Sequence, residues 1–515
     1  MPPLVNSLLR PDFYPHKPAS VELIQTHISW VFLAGDRVYK IKKPVDFGFL
    51  DFSTLRKRGS ACSEEVRLNR RLAGDMYLGT APVYRRGEAF SLSPPGRIVE
   101  HAVVMKRLPA DRLLSVMLSD GRATSADIRM VARRIAKFHA GAEPAMPGLC
   151  GLPVLRRNLL QNFQQTLPYL GRTVRERDYL SVWDYTRDFL ARRRTLLEKR
   201  IRDGRLRDGH GDLHAEHVCL DRPVRIFDCV EFSPAIRQGD VAADIAFLYM
   251  DLLYHRHPVF ARELMEEYLR RTGDWELRLL VPFYACYRAV VREKVESFRL
   301  ADPCIGPRQK NAAARRAARY FTLARELAEA DARPRLFIVG GLPGSGKSTV
   351  AAALAERTGA DYLNSDVVRK GLAGVRPETV MAATFGEGIY SRSMTVLTYG
   401  EMFVHAERSI RAGSSVVLDA TFSRETWRRK ARGLARRTGA SAVVVECHCP
   451  AGVARSRLLD RKERGGISDA GWEVYKKMRG RYEPPPHGTV RVDTTRSTEE
   501  GLAAIAAAAH PFRAS

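Results

Sequence analysis

The sequence has no run approaching 18 consecutive apolar residues, which excludes a membrane-spanning helix. Its start, MPPLVNSLLRPDFYPHKP, lacks the basic and apolar regions of a secretory signal, so a cytoplasmic address with no membrane partner is expected. Cysteine is sparse: eight residues, at 62, 150, 219, 229, 286, 304, 447 and 449, with no CxxC pair. That excludes a disulfide framework and suits small core residues in a reducing compartment. Acidic residues are outnumbered, with 58 Asp and Glu against 84 Lys and Arg, a formal charge of +26. The surplus favours anionic partners such as nucleotides, phosphorylated metabolites or nucleic acid, although a solvated face on Arg-rich helical runs accounts for much of it. There is no internal repeat and no long low-complexity tract.

What remains is a globular chain of 515 residues, 45% hydrophobic and 28% charged, too long for one ordinary domain. A composition shift between Asp302 and Pro334 marks a seam. An Ala/Arg/Glu-rich helical run from Lys310 to Ala330 stops at Arg333-Pro334, and a fresh apolar run begins at Leu336. The expected domains are 1–330 and 331–515, the first with a small lobe at about 20–110 and a helical lobe at about 111–330. In the small lobe, HISWVFL and RVYKIKK around Ala34-Gly35-Asp36 predict a hairpin. A loop with two short strand-like pieces interrupts the helical lobe between His210 and Phe232.

The sharpest signal lies after the seam. Gly341-Leu-Pro343-Gly344-Ser345-Gly346-Lys347-Ser348, followed by Thr349, fits G-x-x-x-x-G-K-[ST], with an apolar strand before it and an Ala-rich helix after it. Glycines let successive amides converge on phosphate oxygens, and the helix N-terminus adds its positive dipole end. Lys347 would reach the β/γ-phosphates of ATP, and the Ser348 hydroxyl would ligate Mg²⁺. In NSDVVRKGL, Asp366 can orient or deprotonate an acceptor hydroxyl, and Arg369 can hold an anionic group on that acceptor. VVLDATF ends a strand at Asp419, suited to the magnesium water shell, with Thr421 close behind on the substrate side. Arg457, Arg461 and Arg464 recur at helical spacing, a face able to close over the triphosphate or to serve as plain surface charge.

These motifs, LPGSGKST, NSDVVRKGL, VVLDATF and the arginine segment, resemble the small P-loop kinases that phosphorylate a hydroxyl: gluconate kinase, chloramphenicol phosphotransferase, zeta-type toxins and the kinase domain of polynucleotide kinases. The resemblance covers residues 334–515 and implies a P-loop NTPase fold, a parallel sheet flanked by helices. It also implies Asp366 as the acceptor-side carboxylate and Arg457 or Arg461 as lid residues.

In the first half, RDGHGDLHAEHVCLDRPVRIFDCVEF sets Asp212 sixteen residues before Asp228, each at the edge of a short apolar strand. His210-Gly211-Asp212 resembles the catalytic loop of the aminoglycoside phosphotransferase family, and the resemblance over residues 20–330 implies a bilobal protein-kinase-like fold. It implies Asp212 on the acceptor hydroxyl and Asp228 on Mg²⁺. It further implies Lys40, or Lys42, on the α/β-phosphates, Glu65, or Glu64, pairing that lysine, and VEHAVVMKRL as the hinge between lobes. The sequence departs from the family at His217, where the family carries Asn, and it has no G-x-G-x-x-G loop. ISWVFLAGDRVYKIKKPVDFGFLDFSTL looks like bacterial two-part proteins that join such a domain to a P-loop ATPase or kinase domain.

A transition-metal cluster of His210, His214 and His217 with Asp212 and Cys219 is the rival reading of this loop, and the turn signals around it argue against helical registration of the imidazoles. Asp240 and Asp244 fit a structural role, and Cys447-His448-Cys449 reads as a strand end. The expected function is Mg-ATP-dependent phosphoryl transfer to a hydroxyl acceptor, small molecule or nucleic acid, chiefly by the second half. The alternatives are an ATPase switch without acceptor and a polynucleotide 5′-hydroxyl kinase. Acceptor identity and oligomeric state are not legible.

Overall fold

A computed structural model describes residues 2–509 other than 47, 49, 303–304, 377–378, 380–387, 412 and 465–469. Cys304, the Arg464 side chain and the end of the arginine segment lie outside the described residues. The chain divides into two compact units, one through Ala328 and one from Glu329 onward. The helix Pro307–Ala332 runs into that division and stops just before Pro334, where proline restricts its predecessor.

The first unit opens with a six-stranded antiparallel sheet of β1 Val21–Gln25, β2 Ser29–Ala34, β3 Arg37–Lys42, β4 Tyr77–Arg86, β5 Ala89–Ser91 and β6 Arg97–Lys106. Its order is β1-β2-β3-β6-β4-β5. The hairpin expected from the sequence is β2 with β3: Ala34 lies opposite Arg37, and Gly35 makes the turn at φ +63°, where a side chain is strained. Most of the stretch read as a hinge is β6, paired with β3 on one edge and β4 on the other, and its last two residues, Arg107 and Leu108, follow the strand. With both edges bonded, that strand is held as sheet interior, and the crossing to the helical lobe falls after Lys106.

Helix Leu55–Ala73 starts at Thr54, whose hydroxyl accepts from the Lys57 amide. Cys62, Glu65, Val66, Asn69 and Ala73 fall on one buried face at three- and four-residue spacing. Cys62, Val66 and Ala73 pack with Val38, Tyr77, Val103 and Met105 from the sheet. Burying each such aliphatic side chain stabilises by about 2 kcal/mol. The face therefore fixes where Glu65 emerges.

Helices Ser125–Gly141, Val241–Tyr254, Pro258–Thr272 and Leu277–Phe298 carry the second lobe. Twelve of the fourteen residues of Val241–Tyr254 are buried, Asp244 and Asp251 among them, so this helix lies inside the lobe. Around it lie four short strands: β7 Leu206–Asp208 pairs with β10 Gln238–Asp240, and β8 Val218–Cys219 pairs with β9 Arg225–Ile226.

The second unit is a five-stranded parallel sheet: β11 Arg335–Gly340, β12 Asp361–Asn364, β13 Val416–Asp419, β14 Ser441–His448 and β15 Val490–Asp493. The order is β12-β13-β11-β14-β15. Central strands covered on both faces read as continuous apolar runs, as LFIV and VVL do. One face packs Leu336, Ile338 and Leu418 with Met402 and Leu434; the other packs Phe337, Val339 and Val445 with Leu354 and Leu502. Register sets Asn364 beside Asp419, and Gly340 beside Glu446, along the carboxyl edge of the sheet. That edge is where open α/β sheets bind ligands.

Candidate active sites

At the carboxyl edge of the second unit, β11 ends at Gly340 and the helix Lys347–Thr358 begins seven residues later. A Cβ on Gly341 would stand 2.5 Å from the Cys447 carbonyl oxygen, and one on Gly346, at φ +77°, 3.0 Å from Thr494 Cβ. Only glycine fits such approaches. Gly346 is the N-cap and supplies no side-chain cap, so Lys347, Ser348 and Thr349 begin the helix with amides available to an anion. Pro343 and Gly344 form the bend between strand and helix, and the Ser345 hydroxyl is buried without a partner among the described residues.

Asp419 is fully buried. Its Oδ2 accepts from the Tyr362 hydroxyl at 2.7 Å and from Asn364 Nδ2 at 2.6 Å, whereas Oδ1 has no partner among the described residues. Burial, and then the Asp419 charge, raise the Tyr362 pKa, so the phenol stays a donor. The same phenol lies near Ser348. Sequence reasoning missed Tyr362, and gave Asn364 no role. The signal was their two-residue spacing on β12, which puts both on one face beside Asp419.

Asp366 and Arg369 form an ion pair at 2.6 Å, and Arg369, almost buried, lays its guanidinium 4.9 Å from the Tyr390 ring centre. Asn364 Oδ1 accepts from the Asp366 and Val367 amides and starts their helix. Thr421, expected on the substrate side, uses its carbonyl on the Gly341 amide at 3.2 Å and its hydroxyl on Tyr399. Arg457 donates to the Thr494 hydroxyl at 2.9 Å and carbonyl at 2.7 Å, beside Gly346. Arg461 donates to the Ala470 carbonyl at 2.5 Å. The arginines therefore do not share one free face: Arg457 borders the phosphate loop, and Arg461 braces its own segment.

In the first unit, Lys40 Nζ lies 2.9 Å from Glu65 Oε1 and 2.5 Å from Asp228 Oδ1. Lys42, two residues along β3 and so on the same face, bonds Glu65 Oε2 at 2.6 Å and also pairs with Glu231. Glu64 instead pairs with Arg67 at 2.6 Å. Burial opposes the charge on Lys40, but Asp228, Glu65 and Glu231 hold its pKa well above the usual lysine range. Glu231 was missed by sequence reasoning, having no place in the family motif.

Asp244 fixes the loop that carries Asp212: its carboxylate accepts from the amides of His210 at 2.6 Å and Gly211 at 2.8 Å, and Asp251 accepts from that of Ala215 at 2.8 Å. Asp240 pairs instead with Arg200 at 2.6 Å. The Asp212, His214 and His217 donor atoms lie within 4.8 Å of one another, gathered by the tight turn Ala215–His217 where helical registration was not expected. His210 is excluded, its Nε2 held 3.0 Å from the Phe227 carbonyl oxygen, and Cys219 lies on β8. Burial opposes ionisation of Asp212, yet His214 keeps its carboxyl far below the usual range.

His217 lies between Asp212 and Asp228 in this cleft. Its Nδ1 lies 2.9 Å from the Asp212 carbonyl oxygen, which can only accept, so Nδ1 carries a proton in this contact. Its Nε2 faces Asp228 Oδ2 at 3.5 Å. A nitrogen donor at this position does not fit hard, oxygen-preferring Mg²⁺. Asp419 Oδ1 and the Ser348 hydroxyl, both oxygens, do fit it.

Residues 55–280 match the phosphotransferase enzyme family, and residues 336–485 match an AAA domain family. An uncharacterised protein of Mycobacterium tuberculosis is 32% identical over 485 residues, 94% of either chain, and one of Mycobacterium bovis matches to the same extent. This chain belongs to their family. Among solved structures, a choline/ethanolamine kinase family protein from Mesorhizobium loti is 14% identical, at a TM-score of 0.38, over 63% of this chain and 99% of that one. A gluconokinase from Sinorhizobium meliloti is 20% identical, at a TM-score of 0.26, over 34% and 92%. This chain joins two kinase-type domains and is an ATP-dependent kinase or ATPase. Among the described residues, no helix is long and apolar enough to cross a membrane.

Proposed function

We propose that the protein transfers the γ-phosphoryl group of ATP to a hydroxyl acceptor at the phosphate loop of its second unit. The observation that carries this reading is the buried Asp419, one oxygen bonded to Tyr362 and Asn364 and the other without a partner among the described residues, at the end of a strand paired with the strand that leads into the phosphate loop and its uncapped helix. A buried carboxylate oxygen with no partner is costly unless a cation or a donor completes it. Ser348 and Asp419 would hold Mg²⁺, which when bound neutralises phosphate charge.

Lys347 and the amides of Gly346 to Thr349 would bind the polyphosphate. The Asp366 carboxylate, oriented by Arg369, would take the acceptor's proton as its oxygen bonds to the γ-phosphorus and the bond to the ADP oxygen breaks. The mismatch between His217 and Mg²⁺ favours the second unit over the first as the seat of chemistry. A Lys347→Ala chain that retains full ATP turnover, lost instead in Asp212→Asn, would reverse that assignment. Phosphate release that is indifferent to every acceptor offered would favour a switch.

A further inference from the structure

A cavity of about 510 Å³ opens in the helical lobe of the first unit, walled by His139, Val241, Tyr268 and Asp274. It shares no lining residue with Lys40, Glu65, Asp212 or Asp228. That volume suits a small molecule. Five cations line it: Arg133, Lys137, Arg205, Arg207 and Arg271.

The nearby carboxylates do not balance them. Asp274 is taken by Arg200 through two bonds of 2.8 and 3.0 Å, leaving Arg205 3.8 Å away. Asp203 bonds Lys199 at 2.6 Å. Glu267 bonds Arg133 at 2.5 Å and Arg271 at 3.0 Å, and pairs with Arg270 as well. Among the described residues, Arg207 has only the Ala142 carbonyl, at 3.3 Å, and Lys137 has no partner. Cations held together in a concave site without matching carboxylates lower the cost of placing a multiply charged anion there.

From this geometry we infer a second anion site: the cavity binds a small molecule carrying two phosphoryl groups or a diphosphate. Its inner wall reaches the loop that carries Asp212. His139 bonds Tyr268 through Nδ1 at 2.7 Å and approaches Asp244 through Nε2 at 3.3 Å, and Asp244 holds the amides of His210 and Gly211.

The test is calorimetric titration of the full-length protein with inorganic pyrophosphate. Saturating magnesium and a non-hydrolysable ATP analogue keep the nucleotide sites filled. The wild type is expected to bind one equivalent, several-fold more weakly when the ionic strength rises from low to physiological. Lys137→Gln with Arg207→Gln should weaken binding about tenfold or more, as expected for two charge-assisted contacts. Lys137→Gln alone, at an exposed helix position, should weaken it severalfold without changing the melting temperature or ATP turnover. No heat in the wild type, or an unchanged affinity in Lys137→Gln and in the double variant, would overturn the inference.

Discussion

The Tyr362 hydroxyl donates to Asp419 at 2.7 Å, reaching from two residues before the end of β12 to the residue that ends β13. The phenol holds one carboxylate oxygen, and the other has no partner among the described residues. Replacing Asp419 by Asn should keep this hydrogen-bond frame and lower kcat by about 100-fold or more, the scale for losing one preorganised electrostatic contact. Tyr362→Phe should cost less, about tenfold, since the charge remains. Steady-state ATP turnover of the two variants checks the order, and equal losses would contradict it.

Lys347→Ala should lower ATP turnover by about 100-fold or more, while leaving the far-UV circular dichroism spectrum unchanged, because the side chain starts a helix and is only partly buried. Asp212→Asn should leave most of that turnover. Single-turnover assays with labelled ATP separate these outcomes.

Glu65 holds two lysines, Lys40 at 2.9 Å and Lys42 at 2.6 Å, and neither Glu65 nor Lys42 is exposed. Glu65→Gln removes one of the two carboxylates at each lysine, leaving Asp228 on Lys40 and Glu231 on Lys42, and should destabilise the first unit by about 1.5–3 kcal/mol, the scale of a lost hydrogen bond to a charged group. Thermal melting reads the loss, and turnover at the phosphate loop should persist below the new transition.

His210 is buried, and burial brings its pKa down to about 4. The unfolded imidazole titrates near 6.5, so as pH falls from there toward 4 the unfolded state gains a proton that the native state does not. Stability should fall by about 3 kcal/mol across that window from this residue. His214, raised by Asp212 despite its burial, acts oppositely: its contribution is present below its unfolded pKa and is lost as pH rises through the folded value. Melting temperatures of wild type and His210→Asn between pH 7 and 4 isolate the first effect as a flatter profile in the variant.

The sequence disclosed what depends on local pattern. The phosphate loop, the β2–β3 hairpin and the strand ending at Asp419 follow from glycine placement and apolar runs, which act over a few residues. Pairings across long separations were less legible. That Glu65 binds both lysines, and that Lys42 also reaches Glu231, depends on how a helix face meets a strand. Most of the stretch read as a hinge is β6, bonded on both edges, and only its last two residues lie beyond the strand, a boundary that an apolar run does not mark. The main-chain bonds that Thr421 and Arg461 make, to the Gly341 amide and the Ala470 carbonyl, were likewise not legible in the sequence.

The central strand of the parallel sheet is also the first of the five to be synthesised. Leu336 of β11 pairs with Val416 and Ala442, so no neighbour for it exists until some eighty residues more have left the ribosome. Until then an apolar, unpaired segment is held in the nascent chain, a state prone to wrong association. Truncations that end before β13 should therefore aggregate in translation extracts, whereas the antiparallel hairpin of the first unit finds its partner at once.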